Sequence, residues 1–136
     1  MEFQIDPSSR LAIYQQVARQ LREAIARGRL SPDERLPSVR DLSRTLVVNP
    51  NTIARVYTEL EREGLLYTQP GRGVFVARPK SELTPKARQE RLDELLDHFL
   101  TAAVHLGFSA KEVLSLVADR VKQFQWQLEK KPIDTS

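Results

Sequence analysis

Cysteine is missing from the sequence altogether, and lysine is missing from its first 79 residues. The first absence removes disulfides, thiolate metal sites and thiol nucleophiles, and it fits a reducing compartment. The second makes arginine the sole basic residue of that stretch, and its planar fork suits phosphates and guanine edges. Long apolar runs are lacking too, since none approaches the ~18 residues needed to span a bilayer. The first residues, Met1-Glu2-Phe3-Gln4-Ile5-Asp6-Pro7, have neither a basic start nor an apolar stretch, so no export signal is expected. A cytoplasmic protein is the resulting expectation. The 136 residues suit one ordinary domain or two very small ones, and no second sizeable ligand-binding or catalytic domain is expected within them.

The charge that is present is unevenly placed. Residues 1–78 hold 12 basic and 9 acidic residues, whereas residues 79–136 hold 9 of each. The whole net charge of +3 therefore lies in the first part. Alone this is only suggestive of an anionic partner.

Apolar periodicity divides the chain further. Leu11, Tyr14, Val17, Ala18, Leu21 and Ile25 recur at helical spacing before Gly28, predicting a first helix. Two prolines in Leu30–Pro37 stop it, and Ser38, with Asp41 three residues on, caps a second helix whose buried stripe is Val39, Leu42 and Leu46. Asn49-Pro50 then reads as a cap followed by proline at the first helical position, starting a third helix that runs to about Glu63 before Gly64. Two helices so closely joined form a helix-turn-helix pattern. Leu65–Thr68 and Val74–Ala77 read as strands around Gln69-Pro70-Gly71-Arg72-Gly73, a hairpin wing. After a polar linker, Thr84-Pro85 opens a fourth helix with Leu92, Leu95, Leu96, Phe99, Ala103 and Leu106 on one face. Ser109 and Glu112 box a fifth, in which Leu114, Val117, Val121, Phe124 and Leu128 alternate spacings of three and four to an end near Lys131-Pro132.

The expected fold class is mainly α with a small β-wing: a winged helix-turn-helix over residues 1–78, a linker at 79–84, a two-helix dimerisation tail at 85–131 and a flexible end at 132–136. Two helices of this size cannot bury both apolar faces against each other, so another surface must cover them. That surface is either the head of the same chain or the tail of a second copy, and a homodimer through Leu92, Leu96, Phe99, Leu114, Val117, Val121 and Phe124 is the favoured expectation.

The third helix carries the candidate DNA readers. On a wheel of about 100° per residue with Asn51 at zero, Arg55 falls near 40°, Arg62 near 20° and Thr52 near 100°, while Ile53, Val56, Tyr57 and Leu60 fall between about 140° and 240°. An apolar face thus lies nearly opposite one of Asn, Thr and Arg. The first turn of a recognition helix enters the major groove, where Asn pairs with adenine, Arg with guanine, and Thr meets phosphate or a thymine methyl. Asn49 is divided between capping and phosphate contact. Arg40 opens the helix that crosses the backbone, and Gly71 and Arg72 sit at the wing tip. Glu59, Glu61 and Glu63 would repel phosphate, so contacts are expected from the N-terminal half of the third helix.

These pieces resemble the GntR family of bacterial winged-helix regulators, specifically its short YtrA-like subfamily. Its carriers are Ile13-Tyr14-Gln15-Gln16, Gly28 to Leu36, Pro37-Ser38-Val39-Arg40-Asp41-Leu42, Val48-Asn49-Pro50-Asn51-Thr52-Ile53, Glu61-Arg62-Glu63-Gly64-Leu65-Leu66 and Gly71-Arg72-Gly73. The resemblance implies a dimeric repressor on a palindromic operator, with DNA contacts at Arg40, Asn49, Asn51, Thr52, Arg55 and Gly71. It also implies a genomic setting beside ABC-transporter genes. Pro50 and Ala54 stand where larger members often carry arginine, so their operator preferences do not transfer.

Rival readings have thinner support. His98 and His105 lie two helical turns apart, ~10 Å, too far to share one metal within a helix, so neither enzyme, metal nor cofactor is expected. A winged helix used only for protein association would lack Asn51, Thr52 and Arg55 on its reading face. No clustered polar set marks an effector pocket, and whether a small-molecule effector acts at the junction of head and tail stays open.

Overall fold

The computed structural model describes residues 2–78 and 83–126. They fall into two compact units, the first running to Arg78 and taking in Gln125 and Trp126, the second running from Leu83 to Phe124.

The first unit is a winged helix-turn-helix, in the order α1 (Ile13–Ala26), α2 (Val39–Leu46), α3 (Pro50–Arg62), β1 (Leu66–Gln69) and β2 (Gly73–Val76). Helix α1 begins two residues later than its apolar stripe suggests. Leu11 stays outside because its carbonyl accepts from the Gln16 side-chain amide at 2.8 Å, while Gln15 accepts the Ala12 N–H. Gln16 also exchanges two hydrogen bonds of 2.8 Å with the Asp6 backbone, so a buried amide holds the N-terminal segment on α1. Helices α1 and α2 both pack on α3, and Val17, Leu21, Leu42, Ile53, Val56 and Leu60 fill the core with Leu66 and Val76 of the hairpin.

Helix α2 is capped by Ser38, whose hydroxyl accepts from the Asp41 N–H. It ends in the turn that joins it to α3, where Val48 N–H reaches the Ser43 carbonyl at 3.0 Å and Val47 takes φ +54°. A β-branched residue is poorly suited to this left-handed conformation, and Val47 is also 90% exposed, so packing offsets little of the strain. Left-handed backbone disfavours an L-residue by about 1–2 kcal/mol, and glycine's extra unfolded-state freedom returns about 0.4–1 kcal/mol of that. Val47→Gly is therefore expected to stabilise the protein by about 0.5–1 kcal/mol, read as a higher urea midpoint at unchanged slope. A lower midpoint would show that the strain assignment is wrong.

The wing is an antiparallel hairpin in which Leu66 faces Val76 and Gln69 faces Gly73. Both strands are set one residue from their sequence-based limits, which draws Gly73 into β2 and leaves Pro70-Gly71-Arg72 as the loop. Arg72 N–H donates to the Gln69 carbonyl at 2.9 Å with Gly71 at φ +76°, the proline-then-glycine arrangement of a type II turn. The segment before α2 adds a short third edge, through Asp33 N–H to Val76, Val76 N–H to Glu34 and Leu36 N–H to Val74 (2.7–2.9 Å). Prolines at 32 and 37 hide this edge in the sequence, because they mark breaks without marking the pairing between them.

The second unit contains α4 (Pro85–His105), capped by Thr84, and α5 (Ala110–Val121), opened by the expected Ser109/Glu112 capping box. Helix α5 is shorter than its apolar spacing predicts. Gln123 and Phe124 donate to carbonyls three residues back, Arg120 and Val121, and Gln125 N–H goes instead to the Ala26 carbonyl at 2.7 Å. Phe124 thus lies beyond the helix rather than on its seam, and no glycine or proline between 121 and 131 announces the stop. Leu128 and Lys131-Pro132 fall outside the described residues. Among the described residues, no helix is long and apolar enough to cross a membrane.

Candidate nucleic-acid interface

Helix α3 separates its faces as its sequence pattern requires. Ile53, Val56, Tyr57 and Leu60 are at most 5% exposed, while Asn51 and Arg55 are exposed and Thr52 is half-buried. At its start, Asn49 Oδ1 accepts the Asn51 N–H at 2.8 Å, and Pro50 removes one N–H that would otherwise lack an intrahelical partner. The cap occupies only the oxygen of the Asn49 amide. Its Nδ2 is without a hydrogen-bond partner among the described residues, so one side chain can cap the helix and still donate to an anion.

Three contacts fix this helix, two of them against the elements carrying the other candidates. Tyr57 donates its buried hydroxyl to the Pro37 carbonyl at 2.7 Å, tying α3 to the entrance of α2, and burial pushes its phenol well above the ordinary range. Thr68 of β1 donates to Glu61 at 3.2 Å, tying the end of α3 to the wing. Arg22 of α1 holds Glu63 through two hydrogen bonds of 2.9 and 2.6 Å, and this carboxylate raises the guanidinium pKa further. Two of the three carboxylates at this end of the helix are thereby engaged. Arg40, in the first turn of α2, and Arg72, at the wing tip, are exposed, and among the described residues no carboxylate pairs with either or with Arg55.

Sequence periodicity assigns Tyr14 simply to the buried stripe of α1. The structure places its ring beneath the Arg55 guanidinium, 3.7 Å from the centroid. Asp33 is also more than a turn residue: it accepts from the Tyr67 hydroxyl and Arg78, both at 2.9 Å, bracing the base of the wing. A tyrosine in the first turn of α1, where one edge of the stripe meets solvent, was the available signal for the first. The second depends on a pairing 34 residues apart in sequence and has no local signature.

In the second unit the residues expected to associate are uncovered. Among the described residues only Ala103 and Val113 are buried, and twelve large apolar side chains between Leu92 and Val121 are 40–74% exposed. Leu92, Leu96, Phe99, Leu114, Val117 and Val121 are among them, whereas Phe124 is half-buried.

Residues 13–76 match the family model of bacterial regulatory proteins of the gntR family. Over 110 residues, 81% of this chain and 85% of its relative, the sequence is 34% identical to the HTH-type transcriptional repressor YtrA of Bacillus subtilis (strain 168). The chain belongs to the GntR family. Solved structures agree: a transcriptional antiterminator from Listeria monocytogenes EGD-e superposes with a TM-score of 0.73 at 29% identity, covering 96% of this chain and 98% of its own. YtrA from Sulfolobus acidocaldarius, a GntR-family transcription factor, gives 0.54 at 29% identity over 89% and 97% of the two chains. This GntR protein is accordingly a DNA-binding transcriptional regulator with repressors among its relatives, and its fold and relatives are those of regulators rather than enzymes.

Proposed function

We propose that this GntR regulator represses transcription as a homodimer, its two heads reading the half-sites of a palindromic operator. The observation that carries the reading is the first turn of α3, capped by Asn49 and presenting Asn51, Thr52 and Arg55 opposite a fully buried face. Asn51 and Arg55 supply the bidentate donors and acceptors that distinguish adenine and guanine in the major groove. Arg40, Arg72, the Gly71 backbone and the free amide of Asn49 supply phosphate contacts that fix register. The exposed apolar faces of α4 and α5 supply the dimer contact, and a twofold axis through them would present two reading helices. Likeness to the YtrA-like group extends the proposal to ABC-transporter genes as the regulated set.

Selection of duplexes from a random DNA pool by the purified protein tests this directly. Enrichment of an inverted repeat with half-sites about one helical turn apart, or a multiple of it, is expected. Recovery of unrelated sequences, or of a single unrepeated site, would overturn it.

Salt dependence is a second measure of the same interface. Arg40 and Arg72 in each head, with a share from Arg55, neutralise about four to six phosphates per dimer, giving a slope of log K against log salt of about −4 to −5. Affinity measured by fluorescence anisotropy should thus fall roughly several-hundredfold between about 50 and 200 mM salt. A slope near zero is incompatible with the proposed contacts.

A further inference from the structure

The contact between Arg55 and Tyr14 joins the reading helix to α1, and neither residue needs it for burial: Arg55 is exposed and Tyr14 half-exposed. A guanidinium stacked on a ring uses its face, while all five N–H groups lie in its plane and stay available. Among the described residues no carboxylate competes for that charge. The ring itself is anchored, because Tyr14 packs on the core cluster that Val17, Ala18 and Leu21 of α1 share with Ile53 and Val56 of α3.

From this geometry we infer that Tyr14 is a positioning residue of the DNA interface, holding the Arg55 guanidinium flat so that its donor edge is ordered before DNA arrives. The role rests on the proposed contact of Arg55 with DNA and extends it to a helix that carries none of the expected reading residues. An arginine left to rotate freely would lose that freedom on binding, and the stack reduces the loss. It need not contribute any charge of its own, so it should leave the salt slope of binding unchanged.

The test is a double-mutant cycle on the duplex that the wild-type protein enriches from a random pool, using the full chain throughout. Tyr14→Leu is expected to weaken binding by about two- to fivefold per head, the range of an exposed cation–π contact, and so by about five- to thirtyfold for a dimer that carries the change twice, with Tyr14→Phe within twofold of wild type and the salt slope retained. In an Arg55→Ala background, Tyr14→Leu should have no further effect. In the free protein, the Arg55 side-chain protons should show upfield ring-current shifts that persist in Tyr14→Phe and vanish in Tyr14→Leu, a readout that does not depend on DNA. Absence of the shifts in wild type overturns the proposal, as does tighter binding by Tyr14→Leu, which would mean that the ring parks Arg55 away from DNA. A Tyr14→Leu loss that persists without Arg55 overturns the role of Tyr14 alone, whereas unchanged affinity in Arg55→Ala overturns the underlying placement of Arg55.

Discussion

Arg55→Ala and Asn51→Ala are each expected to weaken binding to the selected operator by about 1–3 kcal/mol per half-site, the discrimination carried by one bidentate base contact. A homodimer carries each change twice, so the loss approaches about 2–6 kcal/mol for the complex. The two variants should differ in which base they release. Removing Asn51 should relax preference at an adenine and removing Arg55 preference at a guanine, because their donor and acceptor patterns match those bases and no others as well. Arg72→Ala should instead weaken all duplexes alike and flatten the salt slope by about one per head. Measuring the three proteins against single-base variants of the operator separates these outcomes. Full affinity in both α3 variants would remove the reading helix from the interface. The fold should survive each change, since Asn51 and Arg55 are exposed and the core of the first unit includes neither.

Much of this arrangement was legible in the sequence because its signals are local. Helix α3 is the clearest instance: cap, proline and apolar stripe lie within twelve residues, and Ile53, Val56, Tyr57 and Leu60 are buried where the wheel puts them. The Ser109/Glu112 box is equally local. What escaped was decided by contacts that apolar spacing does not encode. Leu11 continues the apolar spacing of α1, yet the Gln16 amide takes its carbonyl and the helix starts later. Phe124 continues the spacing of α5, but the backbone beyond Val121 turns and Gln125 bonds to Ala26, nearly one hundred residues earlier. The third edge of the wing and the stack of Arg55 on Tyr14 are likewise contacts between segments, for which periodicity has no term. The candidate site follows the same division: the exposed polar positions of α3 can be placed one by one from the sequence, while the ring beneath Arg55 was visible only in three dimensions.

Phe99→Glu combined with Val117→Glu is expected to convert the protein to a monomer and, through that, to abolish tight operator binding. These side chains are 45% and 40% exposed on helices that bury only Ala103 and Val113, so the changes remove little from the fold of a single chain. In a dimer the same positions would be desolvated, each twice. An apolar side chain of this size contributes about 1.5–3 kcal/mol when fully buried, and an unpaired carboxylate in its place adds a penalty of several kcal/mol. Four such changes per dimer exceed what a standard interface can absorb, so sedimentation should show monomer at micromolar concentration. The first unit should melt as in wild type, because neither side chain belongs to its core. Each head would then meet the operator alone, losing the roughly 10²–10⁴-fold gain of linked half-sites, while weak, salt-sensitive binding to any duplex persists. A double variant that still sediments as a dimer would place the partner contact elsewhere. One that is monomeric yet binds the palindrome at full affinity would separate dimerisation from operator recognition, and the exposed faces of α4 and α5 would then need a different occupant.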